Sequence, residues 1–439
     1  MDILQQIIFW ILFILSVGIF TKRMVSIRRN ILLGQGEAIT VKNNSGLKQV
    51  FLLALGQKKM FKNPLVAILH FFIYAGFLII NLEMIEIILD GLMGTHRIFF
   101  TIFPGLYRLL INIFEFLAVS VIVVCLVFLA RRNLVHIDRF KSDDLKGSPR
   151  HDANIILVAE IILMLLFFLM NASDTYLQTF EYQIHHLQNT GSFIFSGLLH
   201  PYLHNFAPQT LIYIERFCWW MHISGVFAFL NYLTWSKHLH IILAFPNAYF
   251  ANPQGIGRIQ NMKTVQQEVV YGFDPSFVQE NSETPFVFGA RDIQDLGWKN
   301  LLDAYSCTEC GRCSAVCPAT QTGKRLSPRK IMMDTRDRTE AIGRQMDKSG
   351  KFVGDGKSLF DSITEEELRA CTTCNACVEA CPVSINPLDI IIQLRRYLIM
   401  EKSIAPQEWN LMFGNIENNF APWKVSPEDR TNWNLNKPI

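Results

Sequence analysis

Eight cysteines form two runs with the same spacing, C-x2-C-x2-C-x3-C-P, and their residue type and pattern are suited to metal chemistry. The first run is Cys307, Cys310, Cys313 and Cys317, and the second is Cys371, Cys374, Cys377 and Cys381. This spacing predicts two [4Fe-4S] clusters, because each run supplies three thiolates to one cluster and its fourth to the other. We therefore expect one cluster on Cys307, Cys310, Cys313 and Cys381, and the second on Cys371, Cys374, Cys377 and Cys317.

Zinc and disulfide bonds are the alternative uses of these thiols. A structural zinc site takes four ligands in two separated pairs, which gives no reason for a third cysteine at fixed spacing or for the trailing proline. Disulfides do not persist among clustered thiols in the reducing cytoplasm, where the charge pattern places them. The spacing therefore favours iron-sulfur clusters over both.

The composition indicates that about half of the chain lies in a lipid bilayer. Half of the 439 residues are hydrophobic and only 18% are charged, which is too apolar for an ordinary soluble protein. The net charge of +3 is small, so it does not indicate a nucleic-acid partner. The sequence has no glycine-rich phosphate-binding motif and no nucleophile elbow, so neither a dinucleotide nor an ATP site is predicted.

Five apolar stretches are long enough to cross about 30 Å of hydrocarbon as helices. They are Ile3 to Phe20, Pro64 to Leu89, Leu106 to Ala130, Ala153 to Met170, and Leu211 to Trp235. The first begins close to the N-terminus but lacks a small-residue cleavage site, so we interpret it as a retained span.

Positively charged loops predict the orientation of these spans. The segment 22–62 holds nine Lys and Arg and the segment 131–150 holds six, whereas the loop 171–209 holds none. Loops rich in Lys and Arg remain on the cytoplasmic side of a membrane. The N-terminus is therefore expected outside, and everything after residue 236 is expected in the cytoplasm. In a bacterium this corresponds to the inner membrane.

Two histidines in the predicted spans indicate a haem site near the cytoplasmic face. His70 lies about 9 Å inside the second span, and His240 lies near the same side of the membrane. Paired imidazoles from facing helices are a usual way to bind b-type haem in a helical bundle. A single histidine in an apolar helix is often a packing residue, but ionisable groups inside a bilayer are expensive and are functional by default.

The other two candidate ligands are His222 and His238. His222 lies eighteen residues before His240, which is five turns of a continuous helix and places both on one face about 27 Å apart. His238 would point roughly 160° away from His222, so it is the weaker candidate. A second haem and a hydrogen bond to quinone are alternatives for His222, since Ile80 and Met84 occupy the plausible partner positions on the second span. Met84 could in principle be a ligand.

The sequence around these histidines resembles the five-span cytochrome b module of the nitrate reductase gamma-subunit, and is similar to membrane subunits of heterodisulfide-reductase-type enzymes. The resemblance covers roughly residues 1 to 250 and is carried by Trp220-Met-His222-Ile-Ser-Gly225, Ser236-Lys-His238-Leu-His240-Ile, Pro246-Asn, and Asn63-Pro64 before His70. In the gamma-subunit pattern two histidines of the second span pair with two of the fifth. Here His70, His222 and His240 match, whereas Ile80 stands in the place of the fourth.

Residues 300 to 400 resemble the twin-cluster, ferredoxin-like part of the heterodisulfide reductase and glycerol-3-phosphate dehydrogenase iron-sulfur subunits. The supporting residues are Leu326-Ser-Pro-Arg329, Cys371-Thr-Thr-Cys374 and Pro382-Val-Ser-Ile-Asn-Pro387. In that family a cysteine-rich CCG domain commonly performs the chemistry. This sequence contains no such domain, so the resemblance implies a cytoplasmic partner subunit that carries it.

These features predict a mainly α protein: a five-helix transmembrane cytochrome b bundle followed by a cytoplasmic, α-helical ferredoxin-like domain with two [4Fe-4S] clusters. The expected domains are 1–243 for the haem b bundle, 244–298 for a membrane-proximal linker, 299–400 for the cluster domain, and 401–439 for a C-terminal tail. Between the cysteine runs, Ser327 before Pro328 predicts a helix start, and Thr364 with Glu367 predicts a capping box.

The predicted activity is that of a quinone-linked oxidoreductase subunit, with terminal catalysis in a partner. Electrons would pass between menaquinone or ubiquinone, haem b and the two clusters, since such cofactors carry the chemistry that the protein positions. The alternative is a membrane-tethered redox sensor or a structural anchor. An ion-translocating subunit is disfavoured, because Glu115 and Glu160 stand alone in their predicted helices.

Overall fold

The computed structural model describes residues 3–36, 43–180, 190–251, 257, 259, 261–276 and 287–435. The longer helices are α1 (Ile3–Ile31), α2 (Pro64–Met93), α3 (Pro104–Asn133), α4 (Ser148–Leu177), α5 (Pro208–Leu233), α6 (His240–Tyr249), α7 (Lys263–Phe273), α8 (Trp298–Tyr305), α9 (Pro328–Ser349), α10 (Pro387–Arg396) and α11 (Gln407–Asn419). Within this part of the chain, the β structure is limited to one isolated bridge between Gln35 and Gly297. The predicted mainly α fold is confirmed.

Short helices fill many of the connections. The α-helical ones are Asn43–Gln49, Ile98–Ile102, Asp138–Lys141, Ile194–Gly197, His200–Leu203, Arg312–Ala315, Pro318–Gln321, Glu365–Ala370, Ala376–Ala380 and Asn432–Leu435. The 3-10 and π segments are Val50–Leu55, Lys58–Lys62, Asp143–Leu145, Lys237–Leu239, Ile293–Asp295, Leu359–Asp361, Tyr397–Glu401 and Pro427–Thr431.

Helices α1 to α4 are each 29 or 30 residues long and apolar enough to cross a membrane. Their outward faces expose large apolar side chains such as Ile11 (59%) and Leu165 (54%), as expected for surfaces in contact with lipid. Their inward faces form a common core that contains Phe9, Ile111 and Phe167. These features are those of a membrane protein with four apolar helices.

The stretch predicted as the fifth span forms α5, a helix of 26 residues packed along α4. Of the described helices, only α1 to α4 meet the length and hydropathy expected for a span. Helix α5 differs because it contains the ion pair of Glu215 with Arg216 as well as the buried His222. It contributes Trp219 and Ile223 to the same core, so the bundle has five long helices.

Capping side chains begin several helices, including the two that the sequence predicts at Ser327 and Thr364. Asn63 caps α2, where its side chain accepts a hydrogen bond from the Val66 amide, and Pro64 follows in the first turn. Ser327 caps α9 in the same way before Pro328. The capping box of Thr364 and Glu367 is also confirmed.

The cluster domain has its own apolar core, in which Ile331, Leu359 and Ile390 are fully buried. This core also contains Ala290, Ile293 and Leu296, three residues of the segment predicted as a linker. The cluster domain therefore begins before residue 299, and the preceding segment contains helices α6 and α7. Residues 252–256, 258, 260 and 277–286 of that segment lie outside the described residues.

The two halves of the chain pack against each other through a third apolar cluster. Ile27 and Ile31 from the end of α1 meet Leu243 of α6 and Tyr305 of α8. Polar contacts surround it, including the Asn30 amide that donates to the Tyr305 hydroxyl at 3.0 Å. A Cβ at Gly343 would lie 2.3 Å from the Asn30 side chain, so this close approach of α1 to α9 requires glycine.

Candidate functional site

The two cysteine loops adopt the same backbone conformation. In the first loop Glu309 and Gly311 have φ of 53° and 72°, and in the second Thr373 and Asn375, at the equivalent positions, have φ of 55° and 62°. Left-handed residues at both places turn the chain tightly between successive cysteines. The sequence repeat is therefore a repeat in three dimensions.

The fourth cysteine of each run lies beside the other run. Cys317 lines one small cavity together with Cys371, Cys374 and Cys377. Cys381 in turn is close enough to Cys313 to add to the raised pKa of that thiol, and Cys310 is close enough to Cys381 to add to the raised pKa of Cys381. This arrangement agrees with the predicted sharing of ligands between the two runs.

The chemistry of these thiols fits a metal cluster. Burial raises the pKa of Cys377 to about 12, and the neighbouring Cys371 and Cys317 add to the increase. Thiols crowded in this way become thiolates only when a metal supplies positive charge. Backbone amides already point at the sulfurs, since Ile385 donates to Cys381 Sγ at 3.3 Å and Thr373 donates to Cys371 Sγ at 3.4 Å.

The spacing of the cysteine side chains suits a cluster better than a single ion. Within the described ranges, no three Cys, His, Asp or Glu side chains converge closely enough to hold one metal ion. The four thiolates of a [4Fe-4S] cluster bind separate irons, so they are spaced more widely than the ligands of zinc. Both cysteine sets therefore fit the cluster assignment.

A cavity of about 440 Å³ runs through the bundle and reaches the first cysteine loop. A volume of this size is typical of cofactor sites. Its lining includes the four candidate histidines, several apolar side chains and the cluster cysteine nearest the bundle: His70, His222, His238, His240, Phe77, Ile80, Met84, Val121, Val226 and Cys310. The structure therefore brings all the sequence-predicted histidines to one cavity.

Hydrogen bonds fix the tautomers of three of these rings. The Nδ1 atom of His70 lies 3.0 Å from Gln57 Oε1. The Nδ1 atom of His222 lies 2.9 Å from the Leu163 carbonyl oxygen, and that of His240 lies 2.9 Å from the Lys237 carbonyl oxygen. Each Nδ1 therefore carries hydrogen, and each Nε2 keeps the lone pair that a metal binds. Metal-ligating histidines have this second partner almost always.

His238 lacks such a partner. Its Nδ1 is buried and unbonded among the described residues, although its ring centroid lies only 5.7 Å from that of His240. Burial, with smaller contributions from the neighbouring His240 and His70, lowers the pKa of His238 to about 3. The ring is therefore neutral but is not oriented as a ligand, which favours His240 over His238.

The prediction that His238 points away from the face shared by His222 and His240 is wrong. It assumed one continuous helix from His222 to His240, but α5 ends at Leu233 and a 3-10 turn, Lys237–Leu239, precedes α6. Because the chain turns there, His238 does not point away from the bundle interior and lines the same cavity.

Two glycines near the candidate histidines serve helix contacts. A Cβ at Gly76 would lie 2.6 Å from Val121 of α3, and one at Gly225 would lie 2.8 Å from Leu163 of α4. Their conformation is helical, so the close approach of neighbouring helices is the reason for glycine. Gly76 also lines the cavity, whereas Gly225 does not.

Cations gather where the cavity meets the cluster domain. The side chains are Arg131, Arg132, Arg139, Lys237 and Arg312. Among the described residues, the Nε and Nη2 atoms of Arg132 and the Nε atom of Arg139 are buried without a hydrogen-bond partner. Unpaired buried guanidinium groups are costly, so this part of the cavity fits an anionic group such as a carboxylate.

Glu309 connects the first cysteine loop to the bundle. Its carboxylate accepts from Lys237 Nζ at 2.7 Å and from Arg336 at 2.8 Å. Burial alone would raise its pKa, but these two cations lower the pKa of Glu309 below its ordinary value. Since the Lys237 carbonyl also orients His240, a short chain of contacts joins the cysteine loop to a candidate haem ligand.

A second buried polar network lies at the opposite end of the bundle. Arg97 donates to Asp174 at 2.6 Å and to Tyr107 at 2.9 Å, and the Tyr107 hydroxyl donates to Glu86. Glu115 accepts from the Phe195 amide at 2.8 Å. Glu115 is the only acidic residue of α3, and the loop around Phe195 folds back onto it.

Sequence reasoning did not assign the partners that orient the rings. Gln57 lies 13 residues from His70, and the Leu163 carbonyl lies 59 residues from His222. Glu309 acts less directly, because it bonds Lys237, whose carbonyl contacts His240. The sequence signal for a role of Glu309 is its position inside the first cysteine run. Met84, a possible ligand from its position on the second span, has its sulfur 3.3 Å from His222 Nε2.

Comparison with known proteins agrees with this site. Residues 302–385 match the family model of the 4Fe-4S dicluster domain. The chain is 27% identical over 440 residues to the probable iron-sulfur-binding oxidoreductase FadF of Bacillus subtilis, covering 92% of this chain and 57% of the relative. It is 26% identical over 407 residues to the EtfAB:quinone oxidoreductase of Syntrophomonas wolfei, covering 87% and 53%.

A third relative comes from the heterodisulfide reductases. One of the subunits of the ferredoxin/F(420)H(2)-dependent CoB-CoM heterodisulfide reductase of Methanosarcina acetivorans is 32% identical over 107 residues, 24% of this chain and 53% of the relative. No solved structure matches the chain. The expected resemblance to iron-sulfur oxidoreductases of the heterodisulfide-reductase type is confirmed, and the chain spans a little over half the length of FadF and of the EtfAB:quinone oxidoreductase.

Proposed function

We propose that this chain is a membrane electron-transfer subunit that carries electrons between quinone, haem b and two cytoplasmic [4Fe-4S] clusters. The supporting observation is the single cavity in which oriented histidines of the bundle and the first cysteine loop meet. The dicluster match and the similarity to oxidoreductases support electron transfer as its role.

His70 and His240 would hold the haem nearest the clusters. Their Nδ1 atoms are bonded to oxygens, so both Nε2 lone pairs are available to the iron. A haem bound there supplies one-electron transfer. Arg132 and Arg139 would neutralise its two carboxylates, because their buried guanidinium nitrogens are otherwise unpaired among the described residues.

Quinone and the soluble partner complete the proposed path. One relative is named as a quinone oxidoreductase that acts with EtfAB, and another belongs to a heterodisulfide reductase. These names support menaquinone or ubiquinone as the membrane substrate, and a cytoplasmic iron-sulfur partner of the CCG type remains the proposal from sequence. The Lys- and Arg-rich loops at the cluster end support a cytoplasmic location for the clusters, hence an N-terminus outside the inner membrane.

Redox-poised optical and paramagnetic spectroscopy of the purified protein, with iron and haem quantified, tests this proposal. We expect eight cluster irons per chain and at least one low-spin haem with two histidine ligands. Material that holds clusters but no haem would contradict the haem path. Sustained quinol oxidation by the complex with its partner would separate electron transfer from the alternative of a redox sensor or anchor, which should show reduction without continued flux.

A further inference from the structure

His222 and Met84 face each other inside the bundle, beyond the haem site proposed above. His222 is 2% exposed and Met84 is 8% exposed. The ring nitrogen Nε2 and the sulfur Sδ lie 3.3 Å apart. Both side chains line the cavity that extends from the His70 and His240 pair.

The protonation of His222 makes this contact unusual. Its Nδ1 lies 2.9 Å from the Leu163 carbonyl oxygen, which can only accept, so the hydrogen of the neutral ring is on Nδ1. Nε2 then presents a lone pair, and a thioether sulfur also presents a lone pair. Among the described residues no donor bonds to either atom.

Protonation of the His222 ring would not explain its contact with Met84. An imidazolium could donate to the sulfur, but no carboxylate among the described residues bonds to His222. A cation buried in the bilayer without a partner is costly. A metal between nitrogen and sulfur would use both lone pairs, and the flexible Met84 side chain allows its sulfur to withdraw and admit the metal.

We infer that His222 and Met84 are the axial ligands of a second haem, a ligand pair different from the two histidines of the first. The inference rests on the proposed function. The surrounding cavity wall is apolar, with Phe77, Ile80 and Val226, which suits a porphyrin better than a bare copper ion. Ile80 has no lone pair and serves as part of this wall.

Ligation by one histidine and one methionine would affect the reduction potential of the second haem. A methionine ligand raises the reduction potential of haem iron relative to paired histidines. A haem held by His222 and Met84 would therefore accept electrons more readily than one held by His70 and His240.

Haem quantification and potentiometric titration of single variants test the inference. The wild-type chain should hold two haems with different potentials. Met84→Leu should remove the low-spin signal of the higher-potential haem, whether the iron becomes five-coordinate or the haem is lost. Met84→His should keep both haems and shift the higher potential downwards, because the site gains a second histidine.

Met170→Leu is the matched control, since Met170 is a buried methionine of α4 outside the cavity lining. It should leave both haem signals unchanged. One haem per chain in the wild type, or two unaltered low-spin signals in Met84→Leu, would overturn the second site alone. Complete absence of haem would instead overturn the proposed function, and a copper signal that disappears in Met84→Leu would overturn the haem in favour of copper.

Discussion

At the scale of single residues, orientation of the imidazole ring distinguishes candidate ligands better than position in sequence. His238 and His240 are two residues apart and line the same cavity. Only His240 places Nδ1 on an oxygen acceptor, whereas the Nδ1 atom of His238 has no partner in the described part of the chain. A histidine that must hold iron needs this second bond to fix its tautomer.

His240→Ala should remove the haem nearest the clusters, because the variant loses one of its two axial nitrogens. Haem content should fall by one per chain, while the iron and acid-labile sulfide of the two clusters stay unchanged. The measurement is a haem and iron assay of the purified protein.

His238→Ala provides the comparison for that experiment. It should retain full haem content, with at most a shift in the reduction potential of the nearby haem. Loss of haem in His238→Ala and retention in His240→Ala would show that the ligand assignment is reversed.

At the scale of elements, the two cysteine loops are placed by helices that follow them directly. The helix Arg312–Ala315 begins after Gly311 and the helix Ala376–Ala380 begins after Asn375. These two helices pack against each other, which brings each fourth cysteine to the opposite loop. If each loop supplies its fourth cysteine to the other cluster, as we propose, neither loop can form its site alone.

Cysteine variants should group by site and not by sequence run. Cys381→Ser should alter the same cluster signal as Cys313→Ser, because both side chains belong to the site beside the bundle. Cys317→Ser should match Cys377→Ser, since these residues line the other site. Paramagnetic spectra of the reduced variants make the comparison. Matching spectra for Cys381→Ser and Cys377→Ser would contradict the shared ligands.

Much of this architecture could be predicted from the sequence, for physical reasons. The cysteine spacing and the apolar stretches are local patterns, so the clusters and α1 to α4 follow from short segments. The turn between Leu233 and His240 is harder to predict, because the segment contains no Gly or Pro. Its local signal is Ser236, whose side chain caps the 3-10 turn there. The contact of Met84 with His222 depends on how α2 packs on α5, which periodicity does not determine.

At the scale of the whole molecule, buried ion pairs attach the cluster domain to the bundle. Arg329 of α9 is 1% exposed and bonds Asp144, which lies in the loop between α3 and α4 and is 7% exposed. Burial alone would raise the pKa of Asp144, but the bonds from Arg329 outweigh it and lower this pKa below its ordinary value. The pair fixes the distance between the first cluster and the cavity.

Asp144→Ala should destabilise this attachment by about 3–5 kcal/mol, because it leaves Arg329 buried without its partner. Thermal unfolding of the cluster domain within the intact chain measures the loss. Asp143→Ala, which changes an exposed carboxylate on the same turn, should change stability little. The Asp144 contribution is present at neutral pH and is lost as the pH falls below about 4 towards the lowered pKa. Equal unfolding temperatures for the two variants would contradict this role.

The contacts of α1 with the cluster domain have a consequence for biosynthesis. Arg23 and Asn30 find their partners, Glu340 and Tyr305, 317 and 275 residues later in the chain. Since a protein is synthesised from its N-terminal side, α1 cannot complete these contacts until the cluster domain, which contains Tyr305 and Glu340, has been made and has folded. Shortage of iron should therefore leave the end of α1 near Asn30 without its partners and exposed to proteolysis.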